Sequence, residues 1–187
     1  ARAARIGYVA QRSSVWAGFD VRTVVAMGRH ALPEDQSAID RAIEGVGLSE
    51  RAGEPFRALS VGQQQRVTVA RALAQLAHAQ GGVLIADEPL SAQDPAYAQR
   101  VIALLQEFAH RGGIVIAALH DVTTALRAAD GGILMGGDGR LIACGPAQDV
   151  FTPGRMEKVF GVGFDLLRGA GGPALVPTMG PGARSDR

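Results

Sequence analysis

Two adjacent carboxylates, Asp87 and Glu88, follow the apolar run Val83-Leu84-Ile85-Ala86 and precede Pro89. Side chains diverge along a strand, so a strand ending here delivers the two acids in different directions and lets them serve different tasks. One can support a divalent cation, directly or through water, while its neighbour polarises a water that attacks a phosphate. A hydrophobic strand ending in Asp-Glu is also a common structural feature, and alone it decides nothing. A second segment, Leu59-Ser60-Val61-Gly62-Gln63-Gln64-Gln65-Arg66, is a turn of small residues opening a helix. Unpaired N–H groups and the positive dipole end of a helix suit an anion, Gly62 lets backbone approach it, and Ser60 adds a hydroxyl. An ordinary capped helix is the plainer account of that segment taken alone.

These groups need elements to hold them. Ile6-Gly7-Tyr8-Val9-Ala10 reads as an opening strand, and residues 12–57 read mostly as helix, with an apolar stretch over 21–27. Over 36–46 the apolar residues Ala38, Ile39, Ala42, Ile43 and Val46 recur at the spacing of one helix face. A third helix is expected over 63–76, capped by Ser60. After Gly82 come the strand carrying Asp87 and Glu88, a helix over 95–110, a buried strand over 114–119 and a short helix over 122–129. Ile133-Leu134-Met135 and Leu141-Ile142-Ala143 read as a hairpin with a tight Asp-Gly turn. Strand and helix alternating in this way indicate an α/β fold with a mostly parallel sheet and ligand chemistry at the carboxyl ends of its strands. The helical block before it looks like an insertion. From Gly169 the Gly- and Pro-rich tail shows little apolar pattern and is expected to be disordered, as are residues 166–187 generally.

Composition excludes several classes. At 187 residues and 47% hydrophobic the chain has the size of one globular domain with a core. A net charge of +1 leaves no basic excess for a nucleic-acid partner. The single cysteine, Cys144, forms no internal disulfide, which fits a reducing compartment. The longest apolar runs, such as 113–119, fall well short of the roughly 20 residues that span a bilayer. The chain opens without Met or a signal segment and is expected to begin mid-domain.

The order Tyr8-Val9-Ala10-Gln11, Leu59-Ser60-Val61-Gly62-Gln63, Leu84-Ile85-Ala86-Asp87-Glu88-Pro89, Ser91-Ala92-Gln93-Asp94 and Leu119-His120-Asp121 resembles five successive motifs of ABC (ATP-binding cassette) ATPases. They correspond to the Q-loop, the signature, the Walker B strand, the D-loop and the switch histidine, and the resemblance covers about residues 5–162. It implies a P-loop NTPase (RecA-like) parallel sheet with an inserted helical subdomain, over about 12–76, in an ATPase domain reaching residue 165. It also implies roles. Gln11 would sense Mg²⁺ and the attacking water, Asp87 would support Mg²⁺, and Glu88 would be the general base. Ser60, Gly62 and Gln63 would face ATP held by a second copy, Asp94 would lie at the dimer seam, and His120 would contact the γ-phosphate.

Departures accompany the likeness. Val61 stands where the signature usually has its first glycine, and Gln93 replaces the usual apolar residue of the D-loop. Nothing in the 187 residues matches G-x-x-x-x-G-K-[ST], the loop that holds β- and γ-phosphates; the one lysine, Lys158, has no glycine loop before it. In the family that loop precedes the Q-loop, so the domain is expected to lack its N-terminal part. The stretches Val25-Ala26-Met27-Gly28-Arg29, Gly145-Pro146, Asp149-Val150-Phe151-Thr152-Pro153 and Val159-Phe160-Gly161-Val162 resemble ATPases of iron-chelate, haem and vitamin B12 importers, and the link over 76–82 leans toward haem. The resemblance implies ATP and Mg²⁺, a homodimer of ATPase subunits, transmembrane permease subunits, an indirectly coupled substrate-binding protein and a place on the cytoplasmic face of the membrane. Trp16 and Phe19 would dock on a permease or pack within the helical insertion. His30, His78 and His110 are read as surface or loop residues. Two other readings stay open: a truncated or degenerate cassette without its own activity, and a soluble ABC protein working outside transport.

Overall fold

The computed structural model describes residues 5–11 and 18–178. It divides into two compact units, one through Leu119 and one from His120 onward, within the span expected to form one domain to residue 165.

In the first unit a three-stranded parallel sheet runs in the order β1 (Ile6–Val9), β2 (Val83–Asp87), β3 (Ile114–Ala118). Register pairs Val9 with Ala86 and Asp87 with Ala118, so the acidic pair leaves the sheet at its carboxyl edge. Between β1 and β2 lie α1 (Val21–Ala26), α2 (Gln36–Gly45) and α3 (Val61–Gln75), with one 3-10 turn joining the first two and two joining the second pair. The run expected as mostly helical is thus broken into short pieces. Asp20 caps α1 by accepting from Thr23 N–H at 2.7 Å, and Asp35 caps α2 by accepting from Ala38 N–H at 3.0 Å. α3 packs on α1, α2 and β1. One apolar cluster, including Val24, Ile43, Phe56, Val67, Leu76, Leu84 and Phe108, joins these helices, the sheet and α4 (Pro95–His110). Each large apolar side chain fully buried there contributes about 1.5–3 kcal/mol.

Among the described residues the sheet's other face carries exposed apolar side chains. Strand alternation places Ile6, Tyr8, Ile85, Ile114 and Ile116 there, with Ile116 53% exposed. Among the described residues β3 pairs with β2 alone, and of its side chains Val115 packs on the core, so this part of the chain does not by itself supply the burial its apolar sequence suggests.

The second unit holds α5 (Val122–Ala128), the antiparallel pair β4 (Gly131–Met135) and β5 (Leu141–Pro146), α6 (Ala147–Val150), α7 (Pro153–Phe160), and a further pair β6 (Phe164–Gly169) and β7 (Gly172–Pro177). The β4–β5 connection differs from a two-residue turn. Gly139 N–H donates to Gly136 O and Gly136 N–H to Arg140 O, both at 2.9 Å, with Gly139 at φ +78, which makes a three-residue loop ending in a left-handed glycine.

The tail expected to be disordered from residue 166 is instead the β6–β7 hairpin as far as Pro177. Its glycines belong to the turn, where Gly169 pairs with Gly172 and Gly172 takes φ +87. The hairpin is anchored to α5: Leu175 is buried, and Thr123 Oγ1 both donates to Leu175 O at 2.9 Å and accepts from its N–H at 3.0 Å. Arg127 Nε donates to Pro173 O. Residues 179–187, the rest of that tail, lie outside the described residues, as does Trp16.

Candidate functional site

The site grows from the end of β2. Asp87 is the last residue of the strand, half-buried, and Glu88 follows it with φ +46, in the left-handed region that a glutamate rarely occupies. Its backbone is held on both sides. Glu88 N–H donates to Ala118 O at 3.1 Å, extending the β2–β3 ladder by one step, and Glu88 O accepts from Ser91 N–H at 3.1 Å. Left-handed backbone at such a residue persists only where its surroundings over-determine it, and it concentrates at functional sites. The turn aims the Glu88 side chain at the segment following β1. There Gln11 Nε2 donates to Glu88 Oε2 at 2.9 Å, across 77 residues of sequence. Of the expected hydrolytic residues, Gln11, Asp87 and Glu88 are thus brought together.

Ser60, Gly62 and Gln63 form the start of α3. Ser60 is the cap: its Oγ accepts from Gln63 N–H at 3.3 Å, while Gln63 Oε1 accepts from Ser60 N–H at 2.8 Å, a complete capping box. The Gln63 side chain is therefore occupied within its own helix end, and Ser60 and Val61 lie exposed. Gly62 is buried against the loop 91–94 of the same chain. A Cβ at position 62 would lie 2.3 Å from Ala92 O, so only glycine allows this approach. Its fit to this loop of its own chain accounts for the glycine independently of any contact with a second copy.

Asp94 caps α4, accepting from Ala96 N–H and Tyr97 N–H at 3.1 Å each, with Pro95 as the first helical residue. Gln93 Nε2 donates to Pro89 O at 2.9 Å, which folds the loop back on the residue after the acidic pair. This is what the glutamine does in place of an apolar side chain. His120 is exposed and is the first residue of the second unit; Asp121 beside it caps α5 through Thr123 N–H and Thr124 N–H. Phe19 is partly exposed, with its carbonyl accepting from Phe56 N–H at 2.9 Å. His30, His78 and His110 are all exposed, and His78 Nε2 meets Asp35 Oδ2 at 2.6 Å.

One residue of the site went unread in the sequence. Gln65, 4% exposed, extends Nε2 to 3.1 Å from Ala10 O and 3.5 Å from Glu88 O. The sequence carried no apolar signal for it: Gly62, Gln65, Arg66 and Val69 fall at i, i+3, i+4 and i+7 and are all buried, but only the fold shows that this largely polar face is covered and that its amide must find partners. Gln64, by contrast, donates to the carbonyls of Phe56 and Leu59, tying down the segment before the helix.

Among the described residues no group of three or more His, Cys, Asp or Glu side chains could hold a metal alone. Two adjacent carboxylates suit Mg²⁺, which commonly takes one or two carboxylates and completes its shell with water and substrate phosphates. Among the described residues no helix is long and apolar enough to cross a membrane.

A parallel sheet with an acidic pair at the carboxyl end of one strand, met there by a glutamine from the next, places the chain in the P-loop α/β class of nucleoside-triphosphate proteins. The chain belongs to the family of ABC transporter ATP-binding subunits: residues 1–91 match the family profile described as ABC transporter. It is 38% identical over 175 residues to the hemin import ATP-binding protein HmuV of Bordetella pertussis, an alignment covering 88% of this chain and 66% of that protein. With HmuV of Pseudomonas aeruginosa it shares 37% over 169 residues, covering 87% and 65%. With the cobalamin import ATP-binding protein BtuD of Halobacterium salinarum it shares 36% over 177 residues, covering 89% and 43%. The chain thus spans just under two thirds of the length of the hemin-import relatives. A solved structure of a metal-chelate type ABC transporter in an inward-facing conformation superposes with a TM-score of 0.79 over 94% of this chain and 73% of that one, at 23% identity, and speaks for the fold.

Proposed function

We propose that the chain is the larger part of an ATP-hydrolysing subunit that powers an importer of metal chelates, with haem as the cargo. The observation that carries this reading is the Gln11–Glu88 hydrogen bond at the end of β2, with Glu88 held in a left-handed turn. That arrangement supports a water-activating carboxylate whose orientation is set by an amide. Glu88 would accept the proton of a water aligned on the γ-phosphate, and Gln11 would hold the Glu88 side chain in place until the nucleotide is seated. Asp87, the last residue of β2, would support Mg²⁺ directly or through water, and Gln11 would approach the same ion; when bound, the ion neutralises charge developing on the phosphates. His120 would hydrogen-bond the γ-phosphate.

The exposed capping turn at Ser60 supports a role in trans. Two subunits would face each other, with Ser60, Gly62 and Gln63 of each closing over the other's nucleotide and Asp94 at the seam, so that one two-fold interface builds two sites. Closure and reopening would drive permease subunits at the cytoplasmic face of the membrane, fed by a substrate-binding protein. The phosphate-holding loop that this reading requires is absent from these 187 residues and is to be sought in the part of the subunit outside the aligned span. The cargo assignment rests on likeness to relatives named for hemin and cobalamin import, both metal-bearing macrocycles.

The test is hydrolysis by the full-length subunit with its permease. Glu88→Gln is expected to abolish turnover and to accumulate an ATP-bound dimer on size-exclusion chromatography. Full activity in Glu88→Gln, or a monomer in ATP, removes the assignment of Glu88 as the base. Haem uptake into proteoliposomes, measured beside cobalamin uptake, decides the cargo.

A further inference from the structure

Gln65 sits five residues after the Ser60 cap, on the buried face of α3, and its single side-chain amide reaches backbone from two distant segments. One is Ala10 O, the peptide from which Gln11 projects, at 3.1 Å; the other is Glu88 O, at 3.5 Å. Gln11 and Glu88 are also the two residues whose side chains hydrogen-bond to each other. The same –NH₂ group therefore fixes the roots of both partners in that pair. Neither root lies inside a strand. Ala10 follows β1, and Glu88 follows β2 in a left-handed turn, so sheet hydrogen bonding alone does not set where either side chain begins.

We propose that Gln65 is a positioning residue for hydrolysis, a clamp that couples the start of α3 to the separation and orientation of Gln11 and Glu88. The proposal rests on the reading of Glu88 as the base and extends it. Gln65 and the Ser60 turn share one helix, within which displacement of the capping turn carries the clamp along. Gly62 reinforces the link, since its contact with Ala92 O ties the same turn to the loop that follows Glu88. Engagement of the exposed turn by a second copy's nucleotide would therefore be read, through α3, by the base of the subunit that owns the turn. This gives the two sites of a dimer a direct mechanical route of communication.

The test uses three forms of the full-length subunit with its permease. Gln65→Met keeps the shape and removes the donors. Gln65→Glu keeps the shape and restores one donor only when the carboxyl is protonated. In Gln65→Met, kcat for ATP is expected to fall about tenfold or more, as a small misplacement of reacting groups does, with KM changed less than about twofold because Gln65 is buried beneath the pair and acts through it. In Gln65→Glu the activity relative to wild type is expected to decline as pH rises from 6 to 9, whereas the ratio for Gln65→Met stays flat. A role confined to packing would move neither the ratio with pH nor kcat apart from KM. Hydrogen exchange supplies a readout independent of turnover: amides around Ala10 and around Glu88 should exchange faster in Gln65→Met while those of β3's Ile114–Ala118 do not change. Unchanged exchange at both roots overturns the clamp. Normal kcat in Gln65→Met beside an active wild type overturns its catalytic consequence. A wild type inert toward ATP overturns the ATPase reading instead, and the exchange result then still decides the clamp.

Discussion

Gly62 and Asp35 show how single positions set local structure, one through space and the other through charge. With Ala92 O only 2.3 Å from where a Cβ would stand, Gly62→Ala forces backbone apart at the start of α3. The expected cost is about 1–3 kcal/mol, the scale of overpacking a tight contact, measured as a lowered urea midpoint. The carboxyl of Asp35 is held well below the usual carboxylate range, first by the hydrogen bond with His78 and then by Ser37 Oγ and Ala38 N–H. A carboxyl depressed in the folded state adds stability above its unfolded pKa, near ~3.9, and loses it as pH falls through the folded value. The advantage of wild type over Asp35→Asn, which can still cap through Ala38, is therefore expected to shrink as pH falls below about 4, read from thermal midpoints. At this scale the sequence told much. Asp87, Glu88 and Ser60 are legible as strand-end acids and a helix cap because such tasks depend on immediate neighbours. Gln65 was not, because its partners lie 55 and 23 residues away, and only the fold brings them within reach.

At the scale of elements, the helices of the first unit are joined by arginines whose donors end on carbonyls. The carboxyl end of α2 offers Glu44, Gly45 and Val46 carbonyls: Arg100 of α4 donates to the first two, and Arg66 of α3 to the third at 2.8 Å. Arg66 is buried and its guanidinium also lies 3.5 Å from the centre of the Tyr97 ring, so one side chain links three helices. Arg29, also buried, does the same for α3, donating to Ala74 O at 2.8 Å. Arg66→Met retains the apolar stem and leaves Val46 O without this donor. It is expected to cost about 1–3 kcal/mol in a denaturation experiment. Lysine should recover less than half, since a point charge cannot reproduce a planar fork stacked on a ring. Helix periodicity located α2 and α4 within a residue or two, α4 to the residue. It could not show that the arginines serve as caps between helices, because a basic residue on a helix reads the same whether it faces water or a neighbour's carbonyls.

At the scale of the whole chain, the structure alters the expected organisation most after Phe160. Gly and Pro density suggested disorder, yet Thr123, Arg127 and Leu175 stitch the β6–β7 hairpin to α5. Limited proteolysis is expected to spare 164–177; rapid cleavage at Arg168 by trypsin would contradict the hairpin. The left-handed turn at Glu88 has one more consequence, for how this chain changes over generations. Glycine or asparagine would relieve that backbone, so folding alone selects against the glutamate. A lineage freed from hydrolysis should therefore drift at position 88 early, and a library of variants sorted only for expression should enrich Gly or Asn there. On the proposed assignment of Glu88 as the base, position 88 becomes a record of use, the glutamate persisting where turnover rather than stability is under selection.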